Sequence, residues 1–342
     1  MNILISSIGT RRYLIEHFKD ALGSGGQVFA ADADKFAPSL GYADRSFVIP
    51  RADSDGYCDA LLQIHRDHRL DAVLSINDLE LPFLAAARDE LTAHGIRALI
   101  SEPDIIDICF DKYRTYRFCA EQGIPVPRTY LCTESDAVQS DLERGELSLP
   151  VLAKPRRGSR SVGIYMIDDA DTLIQTMREV ADDGCDDTGK NMFQQYIDSD
   201  QYSLHILNDY SLTPVSVVGM VNIGRHMRGE TFQIRSVKDP RLLDLGLKLG
   251  TALKHLGPMS ADVHRINDTY VVLEMNPRLS GCYSLSHFAN RNFTRNIVSI
   301  LSGESVTNDI FDFEEDVIML KQYDVFPDRE KEIGARVQSY LD

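Results

Sequence analysis

The chain of 342 residues contains no tryptophan, and none of its apolar runs approaches the roughly 20 residues that cross a bilayer. Met1-Asn2-Ile3-Leu4-Ile5 is too short for a secretory signal and lacks a basic start, so a cytoplasmic location is expected. Positive charge is scarce: 36 Lys and Arg stand against 52 Asp and Glu, a net charge of −16. That argues against a broad surface for nucleic acid or an anionic membrane. It leaves room for a small anionic ligand, because a few basic side chains in a cleft outweigh the global field. The six cysteines, at 58, 109, 119, 132, 185 and 282, form no CxxC pair. They read as reduced thiols without structural zinc. No internal repeat and no low-complexity segment is present. The turn Ser6-Ser7-Ile8-Gly9-Thr10-Arg11 holds one glycine where the dinucleotide fingerprint needs three, which excludes an NAD site of that kind. Asp32 and Asp34, at the end of the next apolar run, read as caps or turn formers.

What is present divides the chain in three. Short apolar runs at 3–7, 27–31, 46–49, 72–76 and 98–100 alternate with helical patterns at 12–22, 57–68 and 79–94. This alternation predicts an open, mostly parallel α/β sheet over 1–110. A helix over 111–122 ends at Gly123 and the stiff Ile124-Pro125-Val126-Pro127. Hairpin-like strands follow at 150–154, 162–167 and 191–197 with one helix at 170–181, an α+β unit that closes a second region, 111–200. Within it, 182–189 reads as an exposed acidic loop. The third region, 201–342, carries strands at 202–208 and 214–221, a helix at 241–255, and an antiparallel pair at 261–266 and 269–275. The acidic segment Asp309–Asp316 reads as a surface stretch or a homodimer contact.

Three stretches carry chemistry. In Tyr270-Val271-Val272-Leu273-Glu274-Met275-Asn276-Pro277-Arg278-Leu279-Ser280-Gly281, strand alternation puts Val272, Glu274 and Asn276 on one face. Oxygen ligands on a rigid face suit a Mg²⁺ ion that also holds nucleotide phosphates. The same pattern would also serve as an edge strand with solvated polar groups. In Lys154-Pro155-Arg156-Arg157-Gly158-Ser159-Arg160-Ser161-Val162-Gly163, a strand ends in Lys and a small, basic loop follows. Its backbone N–H groups and the hydroxyls of Ser159 and Ser161 can meet phosphate oxygens, with Lys154 as a point charge. A solvated basic hairpin is the alternative. In Gln194-Gln195-Tyr196-Ile197, backbone groups can bond an adenine edge, and Gln201, seven residues after Gln194, can reach a ribose; taken alone, an ordinary hairpin explains the pattern better.

Taken in order, these stretches resemble the ATP-grasp superfamily, most closely a single ATP-grasp module of the carbamoyl phosphate synthase large subunit. The resemblance runs from Ile3 to about Gly303. It implies an ATP-grasp fold behind an N-terminal, Rossmann-like pre-ATP-grasp domain. Lys112 and Lys154 match the phosphate-binding lysines, and Gly158, Ser159, Ser161 and Gly163 the loop over the phosphates. Gln195, Tyr196 and Ile197 match the adenine hinge. Gln194 and Gln201 stand where the family usually has Glu, which lowers the negative charge around the nucleoside. Glu274 and Asn276 match the metal ligands, and either Asp262 or His264 completes the set. An odd-length loop between the two strands would put all four on one face; a two-residue turn at Asn267-Asp268 would separate them. Arg278 matches the residue that stabilises the transferred phosphoryl group, and Arg235 a strand position near substrate. Ser280 and Gly281 would line the acceptor pocket. Asn77, at the end of a candidate strand, would contribute to substrate selection, or Asn77 or Asp78 would cap a helix.

The resemblance implies an ATP-dependent carboxylate–amine ligase that uses ATP and Mg²⁺ (Mn²⁺ being the alternative ion) and works through an acyl phosphate. Small-molecule carboxylate and amine partners follow, with amino acids or small carboxylates as the expected class. A partner-dependent carbamoyl-phosphate-type subunit and a non-catalytic ATP sensor are the rival readings.

Overall fold

The computed structural model describes residues 1–158, 163–182, 191–224, 231–306, 309–322 and 336–341. Ser159, Ser161 and the acidic stretch 183–189 lie outside them.

The first layer runs β1 (Asn2–Ser6), α1 (Arg12–Leu22), β2 (Gln27–Asp32), β3 (Arg45–Val48), α2 (Tyr57–His68), β4 (Ala72–Ser75), α3 (Leu81–Ala93) and β5 (Arg97–Ala98). The strands are parallel in the order β3-β2-β1-β4-β5. Alternation divides the sheet between two cores: Ile3 and Ile5 join one apolar cluster and Leu4 the other. Helix α1 buries Leu14, Ile15, His17 and Phe18 on one face and stops at Gly23, whose φ of 54° suits glycine. Asp32 accepts from the N–H of Gly9 at 2.9 Å and of Asp34 at 3.0 Å, and Asp34 accepts from Phe36 N–H at 2.9 Å. Both acids are the turn formers expected of them. Helices α4 (Pro103–Phe110) and α5 (Lys112–Glu121) then lead out; α5 starts at Asp111, whose carboxylate accepts from the N–H groups of Tyr113 and Arg114.

The second layer holds β6 (Thr129–Leu131), α6 (Ser135–Glu143), β7 (Val151–Pro155), β8 (Tyr165–Ile167), α7 (Ala170–Asp182) and β9 (Asn191–Gln195), with antiparallel strands in the order β6-β9-β7-β8. Its core gathers Tyr130, Val138, Val151, Leu173, Met177 and Phe193. Helix α6 is additional to the single helix expected, and its apolar face, Val138 and Leu142, is too sparse to show a period.

The third layer holds β10 (Gln201–Asn208), β11 (Pro214–Asn222), β12 (Gln233–Ser236), α8 (Pro240–Leu253), β13 (Gly257–Ile266), β14 (Thr269–Asn276), α9 (Ser284–Phe288), α10 (Phe293–Leu301) and β15 (Ile318–Leu320). Its antiparallel order is β14-β13-β10-β11-β12-β15. Helix α8 lies close on β10 and β11 because Gly246 faces them: a Cβ there would fall 2.6 Å from Val217 Cγ1. Helices α4 and α5 rest against β14, and the apolar core of this sheet is continuous with one face of the first. The last strand, β16 (Val337–Ser339), pairs in parallel with β3. The range 201–342 is therefore not a single body, and a three-residue strand at the chain end carries too little pattern to reveal it.

No described helix is long and apolar enough to cross a membrane. Cys58, Cys109, Cys119 and Cys282 are free thiols. Cys132 is disulfide-bonded, which corrects the expectation of six reduced cysteines.

Candidate active site

The β13–β14 hairpin builds the floor of the site. Its turn is the two-residue Asn267-Asp268, with Asn267 in the left-handed region at φ 52° and Ile266 opposite Thr269. An unbroken ladder from that turn would set Asp262 opposite Leu273. Instead the register shifts: Val263 faces Val272, and Asp262 faces Glu274. Leu273 is the extra residue of a β-bulge. Simple alternation fails there, and Val272 joins Tyr270 and Met275 in the core rather than sharing a face with Glu274. Beyond the bulge Asn276 pairs with Ser260, and its amide donates to Glu274 Oε1 at 3.5 Å. His264 pairs instead with Val271, and its Nδ1 lies 3.1 Å from Ser199 Oγ.

Glu274 keeps 32 % of its side chain exposed, as expected at the bottom of an open cleft. Burial works against its charge, but Lys112 and Lys154 outweigh this and hold its carboxyl below the ordinary range. Asp262 goes the other way. Burial and the facing Glu274 carboxylate push it up to about 7, against a 3.2 Å hydrogen bond from Ser203 Oγ.

Cations wall the cleft. Lys112, in the first turn of α5, lies 3.5 Å from Glu274 Oε2 and donates to Gly158 O at 2.7 Å. Its own N–H donates to Arg156 O at 2.9 Å, and Arg156 forks onto Asp111 with contacts of 3.1 and 2.8 Å. The start of the Gly158–Gly163 loop is thereby tied to the start of α5. Gly158 and Gly163 take φ values of 150° and 77°. Lys154 is 7 % exposed and donates to Gln194 Oε1 at 2.6 Å, while Gln194 Nε2 donates to Thr129 Oγ1 at 2.9 Å. Burial pulls Lys154 down to about 8.

At the hinge, Gln195 N–H donates to Arg128 O at 2.9 Å and Tyr196 N–H to Pro150 O at 3.2 Å; Ile197 follows directly. Gln201 opens β10 opposite His264. Arg278 is anchored across the layers. Its Nη2 donates to Asp78 Oδ2 at 2.6 Å, and its Nε is buried without a partner. Burial opposes its charge, but Asp78, Glu274 and Asp262 keep its pKa above the ordinary value. Ser280 Oγ meets His205 Nε2 at 2.5 Å, and the carbonyl of Gly281 accepts from Tyr13 OH at 3.0 Å.

Two expected residues make contacts of another kind. Arg235, on β12, pairs with the exposed Asp316 at 3.2 Å. Asn77 caps locally, its Oδ1 accepting from Leu79 N–H at 3.2 Å; its neighbour Asp78 is the one that reaches Arg278. Ser203 and His205 were not singled out from sequence, and Asp78 only as a possible cap. Asp78 is 200 positions from its partner, and no spacing rule spans that distance. A groove of about 630 Å³ lies between α6 and α7, lined by residues such as Gln139, Ile174 and Arg178, and shares no residue with this cluster.

The chain matches a family model described as ATP-grasp domain over residues 109–282, and one described as PylC-like, N-terminal domain over residues 3–99. It is similar to a D-alanine–D-alanine ligase of Pseudomonas putida (strain GB-1), 26 % identical over 111 residues, 32 % of this chain and 33 % of that one. It thus spans about a third of the length of that relative. Among solved structures it is similar to a Campylobacter jejuni biotin carboxylase in complex with beta-gamma-ATP, with TM-score 0.71, 17 % identity and coverage of 90 % and 72 % of the two chains. It is also similar to the L-amino acid ligase of Bacillus licheniformis, with TM-score 0.64, 19 % identity and coverage of 89 % and 76 %. At these identities the structural likeness establishes the fold.

Proposed function

Because this chain belongs to the ATP-grasp family, we propose that it is an ATP-dependent carboxylate–amine ligase, working through an acyl phosphate and releasing ADP and phosphate. The observation that carries the reading is the Asp262–Glu274 carboxylate pair at the floor of a cleft walled by Lys112, Lys154 and Arg278. Both lysines and Arg278 act electrostatically on that pair, so negative phosphates and a divalent cation fit the same space.

Asp262, Glu274 and Asn276 offer oxygens alone, a donor set that suits Mg²⁺ or Mn²⁺. The upward push on Asp262 is the strain of two facing carboxylates, which a divalent cation relieves. These three residues would hold the ion, which supplies positive charge to the phosphate oxygens when bound. His264 is left out, because its ring nitrogen is engaged with Ser199 and it faces Val271.

ATP would lie between the second and third layers. Tyr196 N–H is spent on Pro150, so alternation turns the Gln195 carbonyl and the Ile197 N–H to the other side, an acceptor and a donor for an adenine edge. Gln201 would meet the ribose. Lys112, Lys154 and the Gly158–Gly163 loop would meet the phosphates. A carboxylate oxygen of the first substrate attacks the γ-phosphorus as the bond to ADP breaks. The three cations offset the charge in flight. The amine of the second substrate then attacks the acyl carbon, the bond to phosphate breaks, and the amine gives up its proton. Ser280 and Gly281 would border that acceptor. Arg235 has no step in this reading, since its contact is with Asp316.

Amino acids or small carboxylates are the expected substrates, supported by the ligase names of the relatives. The test is ADP release with Mg-ATP against pooled amino acids, small carboxylates and bicarbonate, read by mass spectrometry. A new mass equal to two pool members less water supports ligation. ADP with bicarbonate alone replaces it with the carbamoyl-phosphate-type half-reaction. No ADP from any pool, with ATP still bound, replaces it with a partner-dependent subunit or a sensor. Glu274→Gln should abolish ADP release and leave the fold intact.

A further inference from the structure

Three pieces of chain meet at one buried histidine. His205 lies on β10 opposite Ser260 of β13. Its Nε2 lies 2.5 Å from Oγ of Ser280, just beyond β14, and its Nδ1 lies 2.8 Å from Oγ of Ser286, on α9. Phe293 packs edge-on against the ring, centroids 6.4 Å apart. Burial first, and then the charge of Arg278, pull His205 down to about 3. At neutral pH the ring is therefore uncharged and carries a single N–H.

Hydrogen-bond counting assigns that proton to one nitrogen. Ser286 is fully buried, and among the described residues its hydroxyl has the His205 ring as partner. A proton on Nδ1 would strand the Ser286 O–H where no water reaches it. Ser286 therefore donates to Nδ1, and the ring proton sits on Nε2 and is donated to Ser280 Oγ. The N–H of Cys282 donates to the same oxygen at 3.0 Å. A hydroxyl accepts two hydrogen bonds and donates one. Both acceptor places of Ser280 are thus filled, and its own O–H is left to point elsewhere. Ser280 is half-buried and lies two residues from Arg278, whose buried Nε–H is also unpaired. Two free donors and a fixed positive charge on one short stretch of chain suit a developing negative charge.

We infer that Ser280, its hydroxyl turned by His205 and Ser286, donates to the carbonyl oxygen of the acyl phosphate as the amine adds; the inference rests on the ligase reading above. Ser280 is then a catalytic residue, and His205 and Ser286 are positioning residues that act through it. As the N–C bond forms, the carbonyl π pair moves onto oxygen, which becomes an oxyanion. Ser280 O–H and Arg278 Nε–H meet that charge. When the C=O bond re-forms, the C–O bond to phosphate breaks and the phosphate takes the amine proton. A free serine turns among staggered positions, so its proton would face the oxyanion part of the time. Filling both lone pairs beforehand removes that freedom, and no reorganisation is left for the moment of reaction. Phosphoryl transfer builds no such charge on the carbonyl oxygen, so the first half-reaction does not need this donor.

Two measurements on the full chain test this, the first without substrate. In protein with ¹⁵N-labelled histidine, the long-range nitrogen–proton spectrum at neutral pH is expected to show His205 with a protonated Nε2 and a bare Nδ1. Its signals are assigned by their absence from His205→Gln. The opposite tautomer overturns the inference, whatever the enzyme does. The second measurement uses Mg-ATP with an equimolar mixture of the twenty amino acids as carboxylate and amine. Ser280→Ala, at a half-buried position, is expected to keep the first-turnover burst of ADP and to form new amide about 100-fold more slowly. His205→Leu should fall as far. His205→Gln, whose amide still donates near the Nε2 position, should be at least about tenfold faster than His205→Leu. Amide formation at the wild-type rate in Ser280→Ala overturns the oxyanion role and leaves the ligase reading intact. Loss of the ADP burst in that variant also overturns it, because the side chain then serves substrate binding. Wild type that forms neither ADP nor amide ends the ligase reading and the oxyanion role together, while the tautomer is still read from the spectrum.

Discussion

Asp262 and Glu274 face one another across a hairpin whose turn, by itself, would keep them apart. The two-residue turn at Asn267-Asp268 sets an even ladder, and the bulge at Leu273 shifts it by one, returning Glu274 and Asn276 to the cleft. Two carboxylates so placed repel until a cation arrives. Removing one charge should therefore steady the ion-free protein and impair its chemistry. Burial and the facing Glu274 carboxylate hold folded Asp262 well above the ordinary carboxylate range, so once ionised its charge costs the folded state stability. Asp262→Asn is expected to melt higher than wild type in EDTA at pH 8, while ADP release falls about 100-fold or more. Melting curves and the ADP assay on the same preparation check both halves. A lower melting temperature would show that the facing charges are not a burden.

Lys154 gives a second prediction. Its ammonium sits in a nearly closed pocket against an uncharged amide, Gln194, which in turn rests on Thr129. The amide positions the lysine without cancelling its charge, which stays available to phosphate. A guanidinium is larger, planar and needs more acceptors than this pocket supplies. Lys154→Arg is expected to lose about as much kcat/KM for ATP as Lys154→Ala, about 100-fold. Activity within threefold of wild type in the arginine variant would mean that a loose point charge suffices.

The sequence showed the elements well where pattern is local. Helices 12–22 and 57–68 were placed to the residue, because each has a continuous apolar stripe and a clear stop. It was silent where two distant pieces of chain decide the outcome. The hairpin strands were found, but their register turns on one unpaired leucine that looks like any other apolar strand residue. Asp78 was noticed only as a possible cap, since its bond to Arg278 depends on how the first and third layers dock. Strand β16 is three residues long and pairs with a segment nearly three hundred residues earlier.

That docking yields a third prediction. Asp78 grips one end of the Arg278 guanidinium, while its Nε–H remains buried and unpaired. An unpaired buried donor at a cleft is placed to meet a substrate oxygen. Asp78→Asn keeps the size of the side chain and removes the charge. It is expected to lower kcat/KM for the carboxylate substrate about tenfold while leaving KM for ATP unchanged. Arg278→Lys, which loses the forked donor set, should be worse than Asp78→Asn. An equal rise in KM for ATP in both variants would reassign Arg278 to the nucleotide.

A fourth prediction concerns stability alone. Asp239 caps α8: its carboxylate accepts from Arg241 N–H, the Arg241 guanidinium and Tyr270 OH, each at 2.9 Å. These donors, the Arg241 side chain foremost, hold the carboxyl down at about 2. The folded pKa thus lies below the unfolded value, which is near 3.9. The stabilisation is complete above the unfolded value and is lost as the pH falls through the folded one. Asp239→Ala is expected to cost about 1 kcal/mol at pH 7, the usual effect of losing an N-cap. The gap between wild type and variant should shrink below pH 4 and close near pH 2, as read from urea unfolding at pH 7, 4 and 2. A gap undiminished at pH 2 would mean that the side chain serves by its size and not by its charge.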